Sequence, residues 1–398
     1  MSLLKKNILS HNLKTFAERK QFFSAAPHNL HVAEAKSKDL DGLWLLKYDQ
    51  VKTNFDEPFC KEARGIIFDG DQVVCYPFKK FFNAGEKYAD TIDWSTARVQ
   101  HKYDGSIIKV YWLEQKENRV ARWMVATNGT IDARTAMVDD QNGISFFDLF
   151  EEARTRSGFD YNRLDKDCTY MFELMHPKSL IVIRYTEPKL VHIGTRNNKT
   201  FVESYEPIGV EQAETFPLHN LEECLAAAER LGQSQEGFVV VDANWNRIKV
   251  KGSTYLTLHH TLTNNHLSTE EAAASLFLKN EQSEIVAYQD NPEMVEICRH
   301  IKEIEQRLAN FLSTLEKTFN DVEQKKLASR KEIAAAIKLA SPKNFAILMA
   351  RVTYEEKHKG NSLLPIKEFF KQNLFAKLGT DNKKIDRATL REFLEIIK

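Results

Sequence analysis

The segment Lys102-Tyr103-Asp104-Gly105-Ser106 follows one apolar stretch and precedes another, and the prediction of the fold starts from it. Residues 107–112 have the composition of a β-strand, so Lys102 is expected at a strand end beside a tight turn. A lysine amine becomes a nucleophile only when burial or neighbouring cations lower its pKa. The sequence must therefore supply further positive charge, and Lys249 and Lys251 are the candidates.

A purely structural explanation competes with this one. Lys-x-Asp-Gly fixes only three positions, and Asp-Gly after a strand is most often a hairpin turn. The motif taken alone favours the structural explanation, so the rest of the chain has to decide between the two.

The flanking sequence predicts an antiparallel sheet. Strand-like runs cover residues 43–48, 170–175, 181–185 and 190–193, and turn residues such as Asn128-Gly129 separate others. Short apolar runs joined by tight turns are typical of antiparallel pairing.

Charged side chains interrupt several of these strands. Glu173 lies inside an apolar strand, where an unpaired carboxylate costs several kcal/mol, so we expect a cation, a metal or a hydroxyl group beside it. Glu236 begins another strand. Lys249 and Lys251 point to one face of the next strand, because residues i and i+2 share a face. Two parallel ammonium groups fit a polyphosphate, although surface charge would also explain them.

Two further segments offer cations. Arg64-Gly65 precedes a strand, which suggests a cation held at the strand mouth or a surface arginine. Residues 77–83 alternate phenylalanine with lysine and include Lys80. Such a cluster could bind a nucleotide by stacking and charge, or it could be core phenylalanine with solvated lysine.

Composition bounds the class of protein. A chain of 398 residues suits two domains, and its formal net charge is zero. Residues 331–398 carry 14 Lys+Arg against 8 Asp+Glu, a modest basic excess. The five cysteines lack a paired spacing, which predicts free thiols. Neither a signal peptide nor a membrane-spanning run is evident, so we expect a soluble intracellular protein without a membrane partner.

The last third of the chain is predicted to be helical. Ser268-Thr269-Glu270-Glu271 forms a capping box. A longer helix follows, with an apolar seam at three- and four-residue spacing. Its expected members are Ile297, Ile301, Ile304, Leu308, Phe311, Leu315, Phe319 and Val322. We therefore expect an α+β fold, with a sheet domain over residues 1–256 followed by an all-helical domain over residues 257–398.

Five separated pieces, Lys102-x-Asp-Gly, Arg64-Gly65, Phe172-Glu173, Glu236-Gly237 and Lys249-Val250-Lys251, together resemble the covalent nucleotidyltransferase superfamily. The segments 62–68, 80–86 and 248–259 resemble the phage RNA ligase 1 family within it. The resemblance covers roughly residues 45 to 260. It implies an antiparallel-sheet nucleotidyltransferase domain of the ATP-grasp-like ligase type.

By the same resemblance, the chain is an ATP-dependent RNA ligase with Mg²⁺, or Mn²⁺, as cofactor. Lys102 would form a lysyl-adenylate, AMP would pass to an RNA 5′-phosphate, and a 3′-hydroxyl would displace it. The partners would be ATP and single-stranded RNA or cleaved tRNA, in RNA or tRNA repair. The resemblance also implies a monomer in the cytoplasm of a phage-infected host cell, with the helical domain recognising RNA.

The roles implied for single residues follow the family motifs. Lys249 and Lys251 would neutralise the α-phosphate, and Arg64 and Lys80 would hold the outgoing pyrophosphate. The remaining roles concern the metal, the ribose, the adenine and the turn. They are Mg²⁺ binding by Glu236 and Glu173, with a ribose hydroxyl also on Glu173; later steps of the reaction for Asp104; an adenine-side contact by Tyr48; and a close turn at Gly105.

Three alternatives remain open. An mRNA-capping guanylyltransferase or a DNA ligase would share the motifs, but both would be expected to follow the paired-lysine strand with a β-rich OB-fold rather than helices. A non-catalytic RNA-binding clamp would share the scaffold, and the complete set of reactive side chains argues against it.

Overall fold

A computed structural model describes most of the chain in two compact units, Met1–Thr263 and Asn264–Lys398. The described residues are 11, 13–35, 37–50, 52–179, 181–231, 235–252, 267–279, 282, 295–358, 363–378 and 385–398. The predicted domain boundary between residues 256 and 257 lies outside the described residues and stays a prediction.

The first unit contains the β-strands of the described chain. In order they are β1 Leu30–Glu34, β2 Leu43–Tyr48, β3 Arg64–Asp69, β4 Gln72–Cys75, β5 Phe82–Asn83, β6 Arg98–Lys102, β7 Ser106–Leu113, β8 Arg122–Thr127, β9 Met137–Asp139, β10 Ile144–Ser145, β11 Cys168–Met175, β12 Lys189–Asn197, β13 Glu203–Ser204, β14 Thr215–Phe216, β15 Gly237–Val241 and β16 Arg247–Lys251.

These strands form three larger sheets and one small pair. The first sheet has the order β1-β2-β3-β4, the second β13-β12-β11-β7-β8 and the third β14-β6-β15-β16-β5, while β9 pairs with β10. Neighbours pair antiparallel except for β5 and β16, which are parallel. The expectation of antiparallel sheets is confirmed, with this one parallel pair added.

The segment from Lys102 to Ser106 crosses between two sheets. Strand β6 belongs to the third sheet and β7 to the second, so Asp104-Gly105 does not close a hairpin between paired strands. Lys102 pairs with Gly237 of β15, and Gly237 pairs in turn with Lys251 of β16. The crossing therefore places Lys102 at the end of one sheet, in the same cross-strand row as Lys251.

Strand β7 is buried on both faces. Ile108 and Val110 on one face pack with Leu149 and Phe150 of the helix α3, Phe146–Ser157. The opposite face carries Tyr111 and Leu113, which pack with Leu43, Leu45 and Ile67 of the first sheet. Each fully buried side chain of this size contributes roughly 1.5–3 kcal/mol, so the strand after the crossing is rigidly held.

Helix boundaries follow local capping rules. Ser145 caps α3 in a capping box with Asp148, and Gly158 ends it in the left-handed conformation with φ 68°. The other helices of the first unit are α1 Phe16–Ser24, α2 Pro58–Glu62 and α4 Leu221–Glu229.

The described part of the second unit is helical, as predicted. Its helices are α5 Thr269–Leu278, α6 Val295–Glu323, α7 Arg330–Ala340, α8 Phe345–Lys357, α9 Ile366–Lys377 and α10 Arg387–Ile396. The capping box from Ser268 to Glu271 is present. The apolar seam of α6 follows the predicted spacing, but it buries Cys298 and Leu312 where Ile297 and Phe311 were expected. No helix among the described residues is long and apolar enough to cross a membrane.

One predicted strand is wrong. Residues 181–183 form bends, and residues 184 and 185 have no regular structure, so this segment is not a strand. The N–H groups of Val182 and Ile183 donate to the Asp104 carboxylate at 2.8 and 2.7 Å, so this backbone holds a side chain where a strand would pair with a neighbour. The five cysteines are buried free thiols, as expected.

Candidate active site

A cavity of about 550 Å³ in the first unit collects half of the predicted site residues. Lys102, Arg64, Gly105, Glu173 and Lys249 all line it. They come from strands of all three larger sheets and from the crossing between two of them. A cavity of this size can hold a nucleotide.

Glu236 links two of the predicted lysines. Its carboxylate accepts a hydrogen bond from Lys102 Nζ at 2.6 Å and lies 3.4 Å from Lys251 Nζ. Glu236 is buried and directly precedes Gly237, the residue that pairs with both lysines in the strand row described above. The charge nearest to the Lys102 amine is therefore an anion, whereas the sequence led us to expect cations there.

Glu173 lies on β11, facing the cavity between the apolar residues Phe172 and Leu174. The pKa of Glu173 is raised to about 7, mainly by burial; the positive charges of Lys102 and Arg64 oppose this shift, and the negative charge of Glu236 adds to it. The charges of Lys102, Glu236 and Arg64 therefore all act on the Glu173 carboxylate.

Gly105 is required by a close approach of strand β11. A Cβ atom at this position would lie 2.6 Å from the Leu174 carbonyl oxygen and 3.0 Å from Glu173 Cγ. Any larger residue would push the crossing away from Glu173. Gly105 therefore sets the distance between the Lys102 crossing and the buried carboxylate.

Asp104 is buried and points away from the cavity lining. Its Oδ2 atom accepts hydrogen bonds from the N–H groups of Val182 and Ile183, and its own backbone N–H donates to the Tyr185 hydroxyl at 3.3 Å. These contacts tie the crossing to the loop that follows β11. In this conformation the carboxylate has a positional role.

Arg64 stacks on two phenylalanines at the cavity wall. Its guanidinium carbon lies 4.8 Å from the ring centre of Phe78 and 5.0 Å from that of Phe81. The Nε and Nη1 atoms are buried without a hydrogen-bond partner. Burial lowers the pKa of Arg64 and the nearby Glu173 charge opposes this shift. Guanidinium nitrogens that are buried at a cavity without a hydrogen-bond partner suit an anionic ligand.

The sequence analysis did not identify Arg247. This arginine lines the cavity and packs over Phe78 at 4.7 Å, while its Nη2 donates to Glu203 at 2.6 Å in a buried pair. Arg247, Lys249 and Lys251 alternate along β16, so three cations share one strand face. The i, i+2 rule already applied to the two lysines would have found the arginine as well.

Tyr48 and Lys80 lie beside each other, away from the cavity lining. The Lys80 amine is 4.6 Å from the Tyr48 ring centre, lies over Phe55 and Phe82, and donates to Gln50 at 3.0 Å. Two phenylalanines of the 77–83 cluster, Phe78 and Phe81, line the cavity, and Lys80 is buried among aromatic rings, so the explanation by a solvated lysine is wrong for Lys80.

Several other residues that line the cavity were not predicted from the sequence. Lys47, Gln100 and Asn128 contribute polar groups, and His101 lies in parallel stacking on Tyr103 at 4.2 Å. Gln100 and His101 directly precede Lys102 on β6, and Gln100 shares a strand face with it, whereas Lys47 and Asn128 reach the cavity only through the fold. Lys47 directly precedes Tyr48, and its position next to a candidate residue was the only available signal.

The carboxylates that could hold a metal are Glu173 and Glu236. No group of three or more His, Cys, Asp or Glu side chains with metal-site geometry occurs in the described parts of the chain. Two buried carboxylates at a nucleotide-sized cavity suit Mg²⁺, which keeps several waters and binds few protein ligands together with substrate phosphates. The residues present therefore fit such an ion.

The chain is similar in sequence to known RNA ligases. A family model described as RNA ligase matches residues 62–256. The RNA ligase of Rhodothermus phage RM378 is 27% identical over 349 residues, covering 70% of this chain and 76% of that protein. Among solved structures, two forms of an archaeal ATP-dependent RNA ligase are each 13% identical. Their TM-scores are 0.43 and 0.40, and the matches cover 74% and 87% of this chain and 79% and 96% of theirs.

Proposed function

We propose a reaction for this chain from the premise that it belongs to the RNA ligase family and is itself an RNA ligase. The reaction joins a 5′-phosphate to a 3′-hydroxyl of single-stranded RNA at the expense of ATP. The observation that supports it best is the convergence of Lys102, Glu236 and Lys251 beside a nucleotide-sized cavity lined by Arg64 and Glu173.

The first step is attack of Lys102 on ATP. The lone pair of Nζ forms a bond to the α-phosphorus, the bond from that phosphorus to the bridging oxygen breaks, and pyrophosphate leaves. The amine must lose a proton to attack. Glu236 Oε2, which already accepts a hydrogen bond from this amine at 2.6 Å, is the nearest recorded acceptor. The product is a lysyl-adenylate.

Cations on the cavity wall stabilise the charge that develops during this step. Lys249 and Lys251 neutralise the α-phosphate, and Arg64 binds the part of the triphosphate that leaves. Lys80 is a second pyrophosphate ligand and Tyr48 an adenine-side contact in this proposal, and Tyr48 lies near enough to Arg64 to raise its pKa.

Glu173 and Glu236 would hold Mg²⁺, with Mn²⁺ as a substitute. The bound ion supplies further neutralisation of the phosphate oxygens. Glu173 must be ionised to act as a metal ligand. Its raised pKa opposes ionisation, and the neighbouring cations Lys102 and Arg64 favour the ionised form. Glu173 would also bind a ribose hydroxyl.

Two further steps complete the reaction. AMP passes from Lys102 to the RNA 5′-phosphate, and the 3′-hydroxyl of the acceptor end then attacks that phosphate and displaces AMP. Asp104 acts in these later steps by fixing the crossing beside the adenylated end. The helical unit recognises the RNA, which is single-stranded RNA or a cleaved tRNA in a repair reaction. We further propose that the chain acts as a monomer in the cytoplasm of a phage-infected cell.

The test uses ATP labelled at the α-phosphate. In the presence of Mg²⁺ the protein should acquire covalent label, and Lys102→Ala should abolish it, while a 5′-phosphorylated RNA oligonucleotide should be circularised only by the unsubstituted protein. Label from GTP but not from ATP would favour a capping guanylyltransferase. Sealing of DNA but not RNA would favour a DNA ligase, and the lack of an adduct from either nucleotide would favour a non-catalytic clamp.

A further inference from the structure

We propose that Lys47 acts with Arg64 as a phosphate-binding subsite for the terminal phosphates of ATP, the part that leaves as pyrophosphate. The inference rests on the proposed function and adds a residue to it. Lys47 matches none of the family motifs, and the first sheet contributes both members of this subsite.

Sheet pairing places the two cations side by side. Lys47 ends the paired part of β2 directly opposite Arg64 at the start of β3, after a register shift between Leu46 and Lys47. Both side chains line the cavity. A Cβ atom placed on Gly129 would lie 3.6 Å from Lys47 Nζ, so the ammonium group lies against the turn that forms the same wall.

Neither cation has an anionic partner within the described residues. No carboxylate in those parts of the chain forms a salt bridge with Lys47 or Arg64, and two of the guanidinium nitrogens are buried without any hydrogen bond. Lys47 is half-buried, and leaving buried guanidinium nitrogens of Arg64 without an acceptor is costly, so a bound anion is expected to satisfy this pair. By contrast, Lys102 and Lys251 already share the Glu236 carboxylate.

A buried amine fixes the backbone of the subsite from behind. Lys109 of β7 is fully buried, and its Nζ atom donates to the Gly65 carbonyl oxygen. Gly65 has φ +77°, and a Cβ atom there would lie 2.4 Å from the Asn128 carbonyl oxygen. The backbone next to Arg64 is therefore held on two sides, which leaves the side chain little freedom to turn away from the cavity.

The arrangement of charge points to a polyphosphate. Lys249 of the third sheet and the pair Lys47 and Arg64 of the first sheet line one cavity. A ligand with several linked phosphates can satisfy both groups at once, with the α-phosphate near Lys102 and the terminal phosphates on the first sheet. A single RNA phosphate would satisfy only one of them.

The experiment compares Lys47→Met with Lys199→Met, each of which removes one amine. Lys199 is exposed and pairs with Asp167 at 2.6 Å on the surface. The KM for ATP in enzyme-adenylate formation should rise about tenfold in Lys47→Met only, as expected for one lost charged contact of about 1.4 kcal/mol. The pyrophosphate concentration that reverses adenylation should rise by a similar factor, and Lys47→Arg should restore both values.

Sealing of RNA that already carries a 5′-adenylate needs no ATP and should remain within about twofold in Lys47→Met. An unchanged KM for ATP in Lys47→Met would overturn the inference. An equal loss of sealing activity with pre-adenylated RNA would also overturn it, and would show that Lys47 acts on RNA instead. Absence of any adduct in the unsubstituted protein would overturn the proposed function as well, so the two failures can be told apart. Urea unfolding followed by tryptophan fluorescence checks that the variants are folded.

Discussion

The cavity of the first unit and the helix contacts of the second unit differ in how their buried charges are satisfied. In the first unit the charged groups at the cavity are incompletely satisfied: Arg64 has two guanidinium nitrogens without partners, and burial raises the pKa of Glu173 to about 7. Lys109 is fully buried with a backbone carbonyl as its recorded hydrogen-bond acceptor, and burial lowers its pKa to about 8.

Among the described residues of the second unit, the buried charged side chains Glu271 and Arg351 are both paired. Glu271 of α5 accepts hydrogen bonds from Arg387 and Arg391 of α10 at 2.9 Å, and these partners lower the pKa of Glu271 to about 2. Arg351 of α8 donates to Glu355 and to the Leu364 carbonyl at 2.6 and 2.8 Å.

The contrast shows where function opposes stability. Charges in the helical unit connect its helices, whereas those at the cavity are arranged so that a charged ligand can satisfy them. Local rules of satisfaction are typically broken at functional sites. If this account is correct, removing a charge should have opposite effects on stability in the two units.

Stability of the two units can be measured separately. All five tryptophans (Trp44, Trp94, Trp112, Trp123 and Trp245) lie in the first unit, so their fluorescence reports its unfolding. The described part of the second unit is helical, so a loss of far-ultraviolet circular dichroism without a fluorescence change reports the second unit.

The largest effect is expected for Glu173→Gln. Adenylation should fall at least about 100-fold, because a charged group that acts on the reacting phosphate is lost. The pKa of Glu173 is raised from 4.5 to about 7, so between these pH values the folded protein loses stability as the pH rises. At pH 8 the free energy of unfolding of the variant should therefore be about 1–2 kcal/mol higher than that of the unsubstituted protein. Labelled ATP and tryptophan-detected urea unfolding measure the two effects. A variant that is less stable and fully active would contradict the contrast.

Lys109→Met tests whether a buried charge in the first unit lowers stability, because that effect should depend on pH. The pKa of Lys109 is lowered from 10.5 to about 8, so between these values the unfolded chain binds more protons and stability rises with pH. The free energy of unfolding of the unsubstituted protein should therefore gain about 1–3 kcal/mol relative to Lys109→Met between pH 7.5 and pH 10, as the lysine titrates. Parallel pH profiles for the two proteins would mean that the buried amine does not titrate as described.

Glu271→Gln is the matched substitution in the helical unit and should have the opposite sign. It leaves Arg387 and Arg391 without their shared anion, and the second unit should lose about 1–2 kcal/mol at pH 7, a value reduced because both arginines are partly exposed. Circular dichroism during urea unfolding measures the loss. Adenylation should stay unchanged, and a gain in stability would remove the contrast between the units.

The sequence predicted the sheets, the helical second unit and five of the residues that line the cavity, because those depend on local periodicity and on residues that stand out within a strand. Glu173 was noticed as a charge inside an apolar run. Lys109, flanked by Ile108 and Val110, is also a charge inside an apolar run, but it was not predicted as a buried charge.

Other features depend on long-range pairing that local patterns do not encode. Residues 181–185 have strand composition, yet their N–H groups bind Asp104, which is distant in sequence. Lys47 reaches the cavity through the β2–β3 register shift. The predicted cationic surroundings of Lys102 depended on strand faces alone, and the turn before Gly237 brings Glu236 between the lysines instead.

The most direct test of the central claim is the location of the covalent nucleotide. The protein should be incubated with ATP and Mg²⁺, digested, and analysed by mass spectrometry. The account predicts one AMP per chain on the peptide that contains Lys102, with an acid-labile phosphoramidate bond. An adenylate on Lys109, Lys249 or any other residue, or the complete absence of an adduct, would contradict it.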